Sequence, residues 1–319
     1  MPMISTVIPL YNKAPHIKRT IDSVLAQTCP PDEIIVVDDG STDGGGEVVS
    51  SIKDARIRLI RQKNRGDGAA RNRGAASARG DLIAFLDADD TWKPRFLEVI
   101  QHLRQKYPQA GAYGTAFEII QPDGSKRIPN FEVLERGQKD GIVFDYVKKG
   151  ISSFFGGAHP MFSSSVAIHK NILEITGGFP EKAPYRNDLD MILRIALLFP
   201  VACSTEILVV WYQNAVNRHF NIVRAKSEPA ISRTVRLARK SKRHSHEVKQ
   251  DLLEYGARFQ LNAARDALVL GRRDSALQLL SYAQGTKLFA REWWQWRILA
   301  ALPGQTAHYL WRLKRFFAA

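Results

Sequence analysis

Cysteine is nearly absent from this chain. Cys29 and Cys203 are the two it has, far apart and without a His or Cys at metal-ligand spacing, which argues against a disulfide scaffold or a zinc site and suits a reducing compartment. Long apolar runs are missing as well. None approaches about 20 residues, so no helix is expected to span a bilayer. The first residues, Met-Pro-Met-Ile-Ser-Thr-Val-Ile-Pro, have no basic stretch leading into an apolar core, so no signal peptide is expected and the expected location is cytoplasmic. A Gly-rich phosphate loop is also lacking after the first predicted strand, where the chain reads Pro9-Leu-Tyr-Asn-Lys-Ala-Pro15. That argues against a nucleotidyltransferase and a dinucleotide-dependent dehydrogenase. Zinc-finger spacing and aromatic RNA-binding signatures do not occur, so nucleic acid is not an expected partner.

What the chain does have is a 45% hydrophobic composition and a net charge of +14. That composition supports a sizeable core, and 319 residues suit one large domain or two ordinary ones. The charge is uneven. Residues 1–210 hold 26 Lys and Arg against 25 Asp and Glu, whereas residues 211–319 hold 20 against 7, a balance of +13. The basic last third is either a solvated helical surface or a surface for an anionic membrane or a polyanionic acceptor.

The first half alternates short aliphatic runs with amphipathic stretches. Residues 4–8 read as a strand stopped by Pro9, and 14–28 as a helix with Ile17, Ile21, Val24 and Leu25 on one face. Strands follow at 34–37, 57–60 and 82–86, with helices at 45–52 and 67–79 and another opened by Pro94. This βα alternation predicts an α/β fold with a mostly parallel sheet flanked by helices. Beyond 110 a strand is expected at 112–120, irregular chain over 129–165, a helix near 187–198 and a last strand at 206–212. Residues beyond 222 read as all-helical. The expected domains are a catalytic one at 1–221, with halves at 1–115 and 116–221, and a basic helical region at 222–319.

Two acidic clusters follow apolar runs. Glu33-Ile-Ile-Val-Val leads into Asp38-Asp39-Gly-Ser-Thr-Asp43, and Asp81-Leu-Ile-Ala-Phe-Leu into Asp87-Ala-Asp89-Asp90. Both clusters would then lie at the carboxyl edge of a parallel sheet, where open α/β sheets bind ligands. An Asp-x-Asp there offers hard oxygen ligands to Mg²⁺ or Mn²⁺ bridging a diphosphate. Three carboxylates within four positions repel one another unless a cation offsets them. Asp90 makes a second adjacent pair, so the register of the metal pair stays open, and Asp90 or Thr91 also suits a helix cap.

Taken in order, Val7-Ile-Pro-Leu-Tyr-Asn-Lys13, Val37-Asp-Asp-Gly-Ser-Thr-Asp43, Asn64-Arg-Gly66 with Ala70-Arg-Asn72, and Phe85-Leu-Asp-Ala-Asp-Asp90 resemble the family 2 glycosyltransferases, inverting enzymes of the GT-A fold. Gly178-Phe-Pro-Glu181 followed by Asn187-Asp-Leu-Asp190 is a looser match. The resemblance implies sugar transfer from a nucleotide diphosphate, a UDP-sugar, to an acceptor hydroxyl, in polysaccharide or glycolipid synthesis. It implies that Asp39 accepts a hydrogen bond from the base, that Pro9 and Tyr11 form the floor beneath it, and that Arg71 lies beside the base or diphosphate. Asp89 is implied as metal ligand, with Asp87 facing the ribose or sharing the Mn²⁺ or Mg²⁺. Asp188 is the implied general base, with Asp190 as rival.

Two departures stand out. Relatives carry Glu-Asp where this chain has Asn187-Asp188, and a His after the last strand is displaced here to His219. They keep a second reading in view, a catalytically weak nucleotide-sugar-binding or scaffolding protein of the same fold. In the tail, Trp293, Trp294, Trp296, Trp311, Phe316 and Phe317 accompany the basic residues. They either pack the tail or form an amphipathic surface for an anionic membrane, which would make the protein peripheral on the inner face.

Overall fold

A computed structural model describes residues 3–131, 133–155, 160–181, 183, 186–215 and 229–302. His219 and residues 303–319, with Trp311, Phe316 and Phe317, lie outside the described residues. The chain divides into two compact units, Met1–Lys182 with Asn187–Arg218, and Ala183–Arg186 with His219–Ala319.

The first unit opens with strand β1 (Ile4–Leu10), helix α1 (Ala14–Leu25), β2 (Glu33–Asp38), α2 (Gly45–Ser51), β3 (Ile57–Arg61), α3 (Asp67–Ser77) and β4 (Leu82–Phe85). It continues with β5 (Thr91–Trp92), α4 (Phe96–Lys106), β6 (Ala112–Ile120), β7 (Lys126–Arg127), β8 (Asp140–Val143) and α5 (Tyr146–Phe155). The unit closes with β9 (Val166–His169), α6 (Lys170–Thr176), α7 (Asn187–Ala196) and β10 (Val201–Tyr212). Among the described residues these strands form a sheet of order β3-β2-β1-β4-β9-β6-β10-β5, with β7 paired to β6 and β8 to β10. The βα-derived strands β3, β2, β1 and β4 run parallel, and β9 is antiparallel to both of its neighbours.

The parallel strands are apolar on both faces because both are covered. Ile8, Leu10 and Val36 pack with Ile17, Ile21, Phe96 and Ile100 on one side. Val7, Ile35 and Val37 pack with Ala70, Leu173, Met191 and Ile195 on the other. The order places β1 between β2 and β4, so consecutive connections leave β1 in opposite directions. That is a switch point, where the carboxyl ends of two adjacent strands part and admit a ligand.

The strand expected to stop at Pro9 runs through it to Leu10. The pairing of β4 with β1 ends at Val7, whereas β2 stays paired to Leu10, so Pro9 lies beyond the β4 ladder, where its missing N–H is tolerated. Pro94 precedes rather than opens α4, which begins at Phe96. The segment read as irregular contains β8 and α5, and the last strand begins at Val201 rather than 206. Register shifts near Ser204 and Ile207 break the alternation that a strand reading relies on.

The second unit contains α8 (Ala230–Lys240), α9 (His246–Val269), α10 (Arg273–Tyr282) and α11 (Ala290–Ala301), helical as expected. Its core joins Leu261, Ala264, Ala276, Leu280, Phe289 and Trp296. Trp293 donates its indole N–H to the Leu280 carbonyl at 2.7 Å. Two of the tail's tryptophans therefore pack the unit, while Trp294 is 59% exposed. Buried Glu254 accepts hydrogen bonds from the Thr286 hydroxyl and the Lys287 and Leu288 N–H groups, fixing the turn into α11. Among the described residues no helix is long and apolar enough to cross a membrane.

Helix α3 lies close on the sheet because Gly74 has no side chain. A Cβ there would overlap a Val7 methyl and approach Val37, and β-branched, fully buried Val7 has little rotamer freedom to yield. Gly74→Ala should therefore destabilise the fold by about 1–3 kcal/mol in urea titration, opposite in sign to the ~1 kcal/mol gain in intrinsic helix propensity. A stabilised variant would mean that α3 stands further from β1.

Candidate active site

The loops after β1, β2 and β4 meet at the switch point. Asp39, just past β2, donates its N–H to the Leu10 carbonyl at 2.8 Å. Its buried carboxylate accepts from Gln62 Nε2 at 2.7 Å, Arg65 N at 2.9 Å and Gly66 N at 2.8 Å. Asp39 thus organises the loop that feeds α3. Of its roughly four acceptor positions three are taken, leaving one on Oδ2. Asp38 accepts from Ser41 N at 2.9 Å and lies 3.9 Å from Arg61, a turn-closing role. Pro9 is buried beside Val37, and Tyr11 follows it partly exposed. Asn12 takes a left-handed backbone (φ 51°) and accepts from Thr42 N, tying the β1 and β2 loops together.

The acidic cluster after β4 splits in two. Asp90 turns inward, 1% exposed, against the Ser164 hydroxyl at 2.6 Å and Tyr212 N at 3.1 Å. Burial, reinforced by the charges of Asp89 and Asp87, raises its carboxyl well above the usual range. Asp87 and Asp89 keep their edges open to solvent. The pair two apart therefore faces the edge, and the adjacent pair is divided by burial.

Asp87 is held by Arg71. This arginine is buried, not solvated on its helix. Its Nη2 donates to Asp87 Oδ1 at 2.7 Å and Ser163 Oγ at 3.3 Å, and its Nη1 to Asp67 Oδ2 at 2.8 Å and Asn187 Oδ1 at 3.0 Å. Burial alone would lower the guanidinium pKa, but the carboxylates of Asp87, Asp67 and Asp188 outweigh it and raise it. Ser163 Oγ donates in turn to Asp87 Oδ2 at 2.9 Å, and the Asp87 N–H donates to Ser164 Oγ at 3.1 Å.

The first turn of α7 supplies the remaining acids. Asp190 is buried and paired with Arg194 Nε at 2.9 Å. Asp188 is partly exposed and accepts from Ser163 N at 3.2 Å. Burial raises its carboxyl above the ordinary range; Arg71 pulls it down and Asp87 adds to the rise. Asn187 is buried, and its amide is used at both ends, donating to Asp67 Oδ1 at 2.8 Å and accepting from Arg71. An acid at this position would set a second carboxylate against Asp67.

Among the described residues no three His, Cys, Asp or Glu side chains are grouped to hold a metal. The carboxylates of the Asp-x-Asp, Asp87 and Asp89, are those with an open edge, and the Lys13 ammonium lies 2.8 Å from Asp89 Oδ2. Hard oxygen donors in this number suit Mg²⁺ or Mn²⁺ completed by phosphate oxygens and water, rather than an ion caged by protein alone.

A profile described as glycosyl transferase family 2 matches residues 5–169, just over half of the chain. The chain belongs to glycosyl transferase family 2. An uncharacterized glycosyltransferase of Nostoc sp. is 47% identical over 105 residues, 32% of this chain and 33% of that protein. The succinoglycan biosynthesis protein ExoO of Rhizobium meliloti is 42% identical over 120 residues, 37% of this chain and 33% of that protein. The chain thus spans about a third of the length of these relatives. The crystal structure of S. aureus TarS 1–349 in complex with UDP-GlcNAc superposes with a TM-score of 0.77 at 14% identity, covering 98% of this chain and 92% of that one. At that identity the likeness is one of fold.

In this family 2 domain, several residues at the edge escaped the sequence reading. Ser163 and Ser164 sit in a serine run with no periodic pattern. Asp67 had a readable signal, since it stands four residues before Arg71 on one helix face. Removing Arg71 would leave Asp87, Asp67 and Asp188 without their shared cation. Arg71→Ala should cost about 3 kcal/mol in urea unfolding, the low end for breaking a buried pair because Asp67 stays in contact with water. Arg71→Lys should recover less than half of that, since a point charge cannot span four acceptors. Wild-type stability in Arg71→Ala would show that the network contributes nothing.

Proposed function

We propose that the chain transfers a sugar from a nucleoside diphosphate, a UDP-sugar, to an acceptor hydroxyl with inversion, in the synthesis of a cell-surface polysaccharide or glycolipid. The observation that carries this reading is Asp188: a partly exposed carboxylate with a raised pKa, beside Asp87 at the carboxyl edge of a family 2 sheet. The succinoglycan role in ExoO's name and the UDP-GlcNAc in the TarS complex support the polysaccharide and the donor.

Asp188 takes the proton of the acceptor hydroxyl as its oxygen bonds to the anomeric carbon. The bond from that carbon to the diphosphate oxygen breaks, and the nucleoside diphosphate leaves. The open acceptor position of Asp39 Oδ2 takes the uracil N3–H, with Pro9 and Tyr11 beneath the base. Arg71 serves the nucleotide through Asp87, which it holds in place for the ribose or the metal. Asp89 and Asp87 would hold Mn²⁺ or Mg²⁺, and such an ion supplies positive charge to the departing diphosphate.

Asp188→Asn should retain UDP binding and lose about 10²–10⁴-fold in transfer rate. The base works only when deprotonated and its pKa is raised, so the wild-type rate should fall on acidification at a higher pH than an ordinary carboxylate near 3.9 would give. Normal transfer by Asp188→Asn, or a rate flat down to pH 4, would remove Asp188 from the role.

A membrane-bound acceptor fits the second unit. Leu288, Trp294 and Ile298 are each more than half exposed, and Arg291 and Arg297 are exposed among them. This apolar and basic face suits an anionic bilayer, with about 1 kcal/mol per basic residue near the surface, and would place the protein on the inner face of a membrane. Co-sedimentation with vesicles should require anionic lipid, weaken with salt and drop in a Trp294→Glu, Ile298→Glu double variant. A full-length chain that stays in the supernatant at low salt would end the membrane reading.

A further inference from the structure

The ion pair between Lys13 and Asp89 occupies the place where the donor's metal would bind, and its surroundings allow it to exchange. Lys13 lies in the loop between β1 and α1, and Asp89 two residues after Asp87. Their side chains are 13% and 16% exposed, covered but with an edge to solvent. The main chain that carries Asp89 is held by other groups. Arg19 on α1 donates to the Asp89 carbonyl at 2.8 Å while its guanidinium stacks 3.7 Å from the Tyr212 ring centre. The Thr20 hydroxyl reaches the carbonyls of Ala88 and Asp90. The Lys13 ammonium can therefore leave Asp89 without the 88–90 loop losing its anchors.

The charges make the exchange conditional. Asp89 is paired with Lys13, and Asp87 shares Arg71 with Asp67 and Asp188, so neither carboxylate of the Asp87–Asp89 pair meets a free divalent ion without a cation already beside it. An ion arriving alone must displace an ammonium from a partly buried carboxylate and part it from the Asp89 charge. An ion arriving with a nucleoside diphosphate brings replacement oxygens for it. A lysine suits such a swap, being a point charge on a flexible stem with rotating donors.

We propose that Lys13 couples metal binding to donor binding: its ammonium holds Asp89 until a nucleoside diphosphate arrives, then passes to the phosphate oxygens as the metal takes the carboxylate. This rests on the donor-site reading given above. Metal and nucleotide then each strengthen the other's binding by the same factor.

The test uses the full chain, with Mn²⁺ alone measured by the spin resonance of the free ion and UDP measured by calorimetry with and without Mn²⁺. Lys13→Ala should bind Mn²⁺ alone at least about 5-fold more tightly than wild type, and UDP in saturating Mn²⁺ at least about 5-fold more weakly, the lower end of typical site–site coupling. Lys13→Gln, which keeps the stem without the charge, should shift both affinities in the same directions and guards against a folding defect in the alanine variant. Asp89→Ala should bind Mn²⁺ under neither condition. Unchanged or weaker binding of Mn²⁺ alone by both Lys13 variants, at wild-type melting temperature, overturns the proposal. So does UDP binding that ignores Mn²⁺ in wild type and collapses in Lys13→Ala, which would make Lys13 the diphosphate's own cation. Absence of UDP binding to wild type under any condition sinks the donor-site reading, and the coupling with it.

Discussion

Five carboxylates, from Asp67, Asp87, Asp89, Asp90 and Asp188, converge where the loops after β1 and β4 meet α3 and α7, and their mutual repulsion is the constraint that shapes this edge. It is answered in three ways. The Arg71 guanidinium lies among Asp67, Asp87 and Asp188 and bonds the first two directly. Lys13 neutralises Asp89. Asp90 is buried beside Ser164 and shifted toward its protonated form. A planar fork is required at the first position, because acceptors on three separate segments lie around one group, and an ammonium presents no fixed fork.

That guanidinium reaches its partners because α3 is built of small residues. Gly74 admits Val7 of β1, and a Cβ at Gly68 would come within 3.1 Å of the Pro180 carbonyl and 3.2 Å of Asn187 Nδ2. Asn72 then bonds the Phe179 backbone at both ends of its amide, each at 2.8 Å. Phe179 packs edge-on against Phe85 with ring centres 5.0 Å apart. The Ala- and Gly-rich stretch that reads as an unremarkable helix is a close-contact surface, and close contact is what lets one arginine touch α7, the strand end and the serine turn together.

The parallel half of the sheet was legible because each strand is followed by its own helix, so sequence order and spatial order nearly coincide. Both acidic clusters could be placed at the carboxyl edge on that basis alone. The region beyond residue 120 resisted because its pairings are remote. β8 adds antiparallel to β10, and four-residue β9 is inserted between β4 and β6. A strand that short carries no usable periodicity. The serines that hold Asp87 and Asp90 are positioned by that insertion, so their role was hidden with it. Asn187 was visible as a departure from the family pattern, but its meaning depends on Asp67, 120 positions earlier. With a carboxylate already there, an amide is the side chain that can donate to it and still accept from Arg71.

Helix geometry separates the two acids of α7. Residues two apart on a helix point about 200° away from each other, so Asp188 and Asp190 cannot both face the edge. Asp190 turns inward and forms an i,i+4 pair with Arg194, a partner written in the sequence four residues on. Asp188 has no such partner within the helix. As a first-turn residue it gains from the helix dipole, which by itself favours the charged form. Its raised pKa means that burial and Asp87 prevail over Arg71 and the Leu189 and Ser163 N–H groups together. The same guanidinium that holds Asp87 in place thus opposes the rise at Asp188.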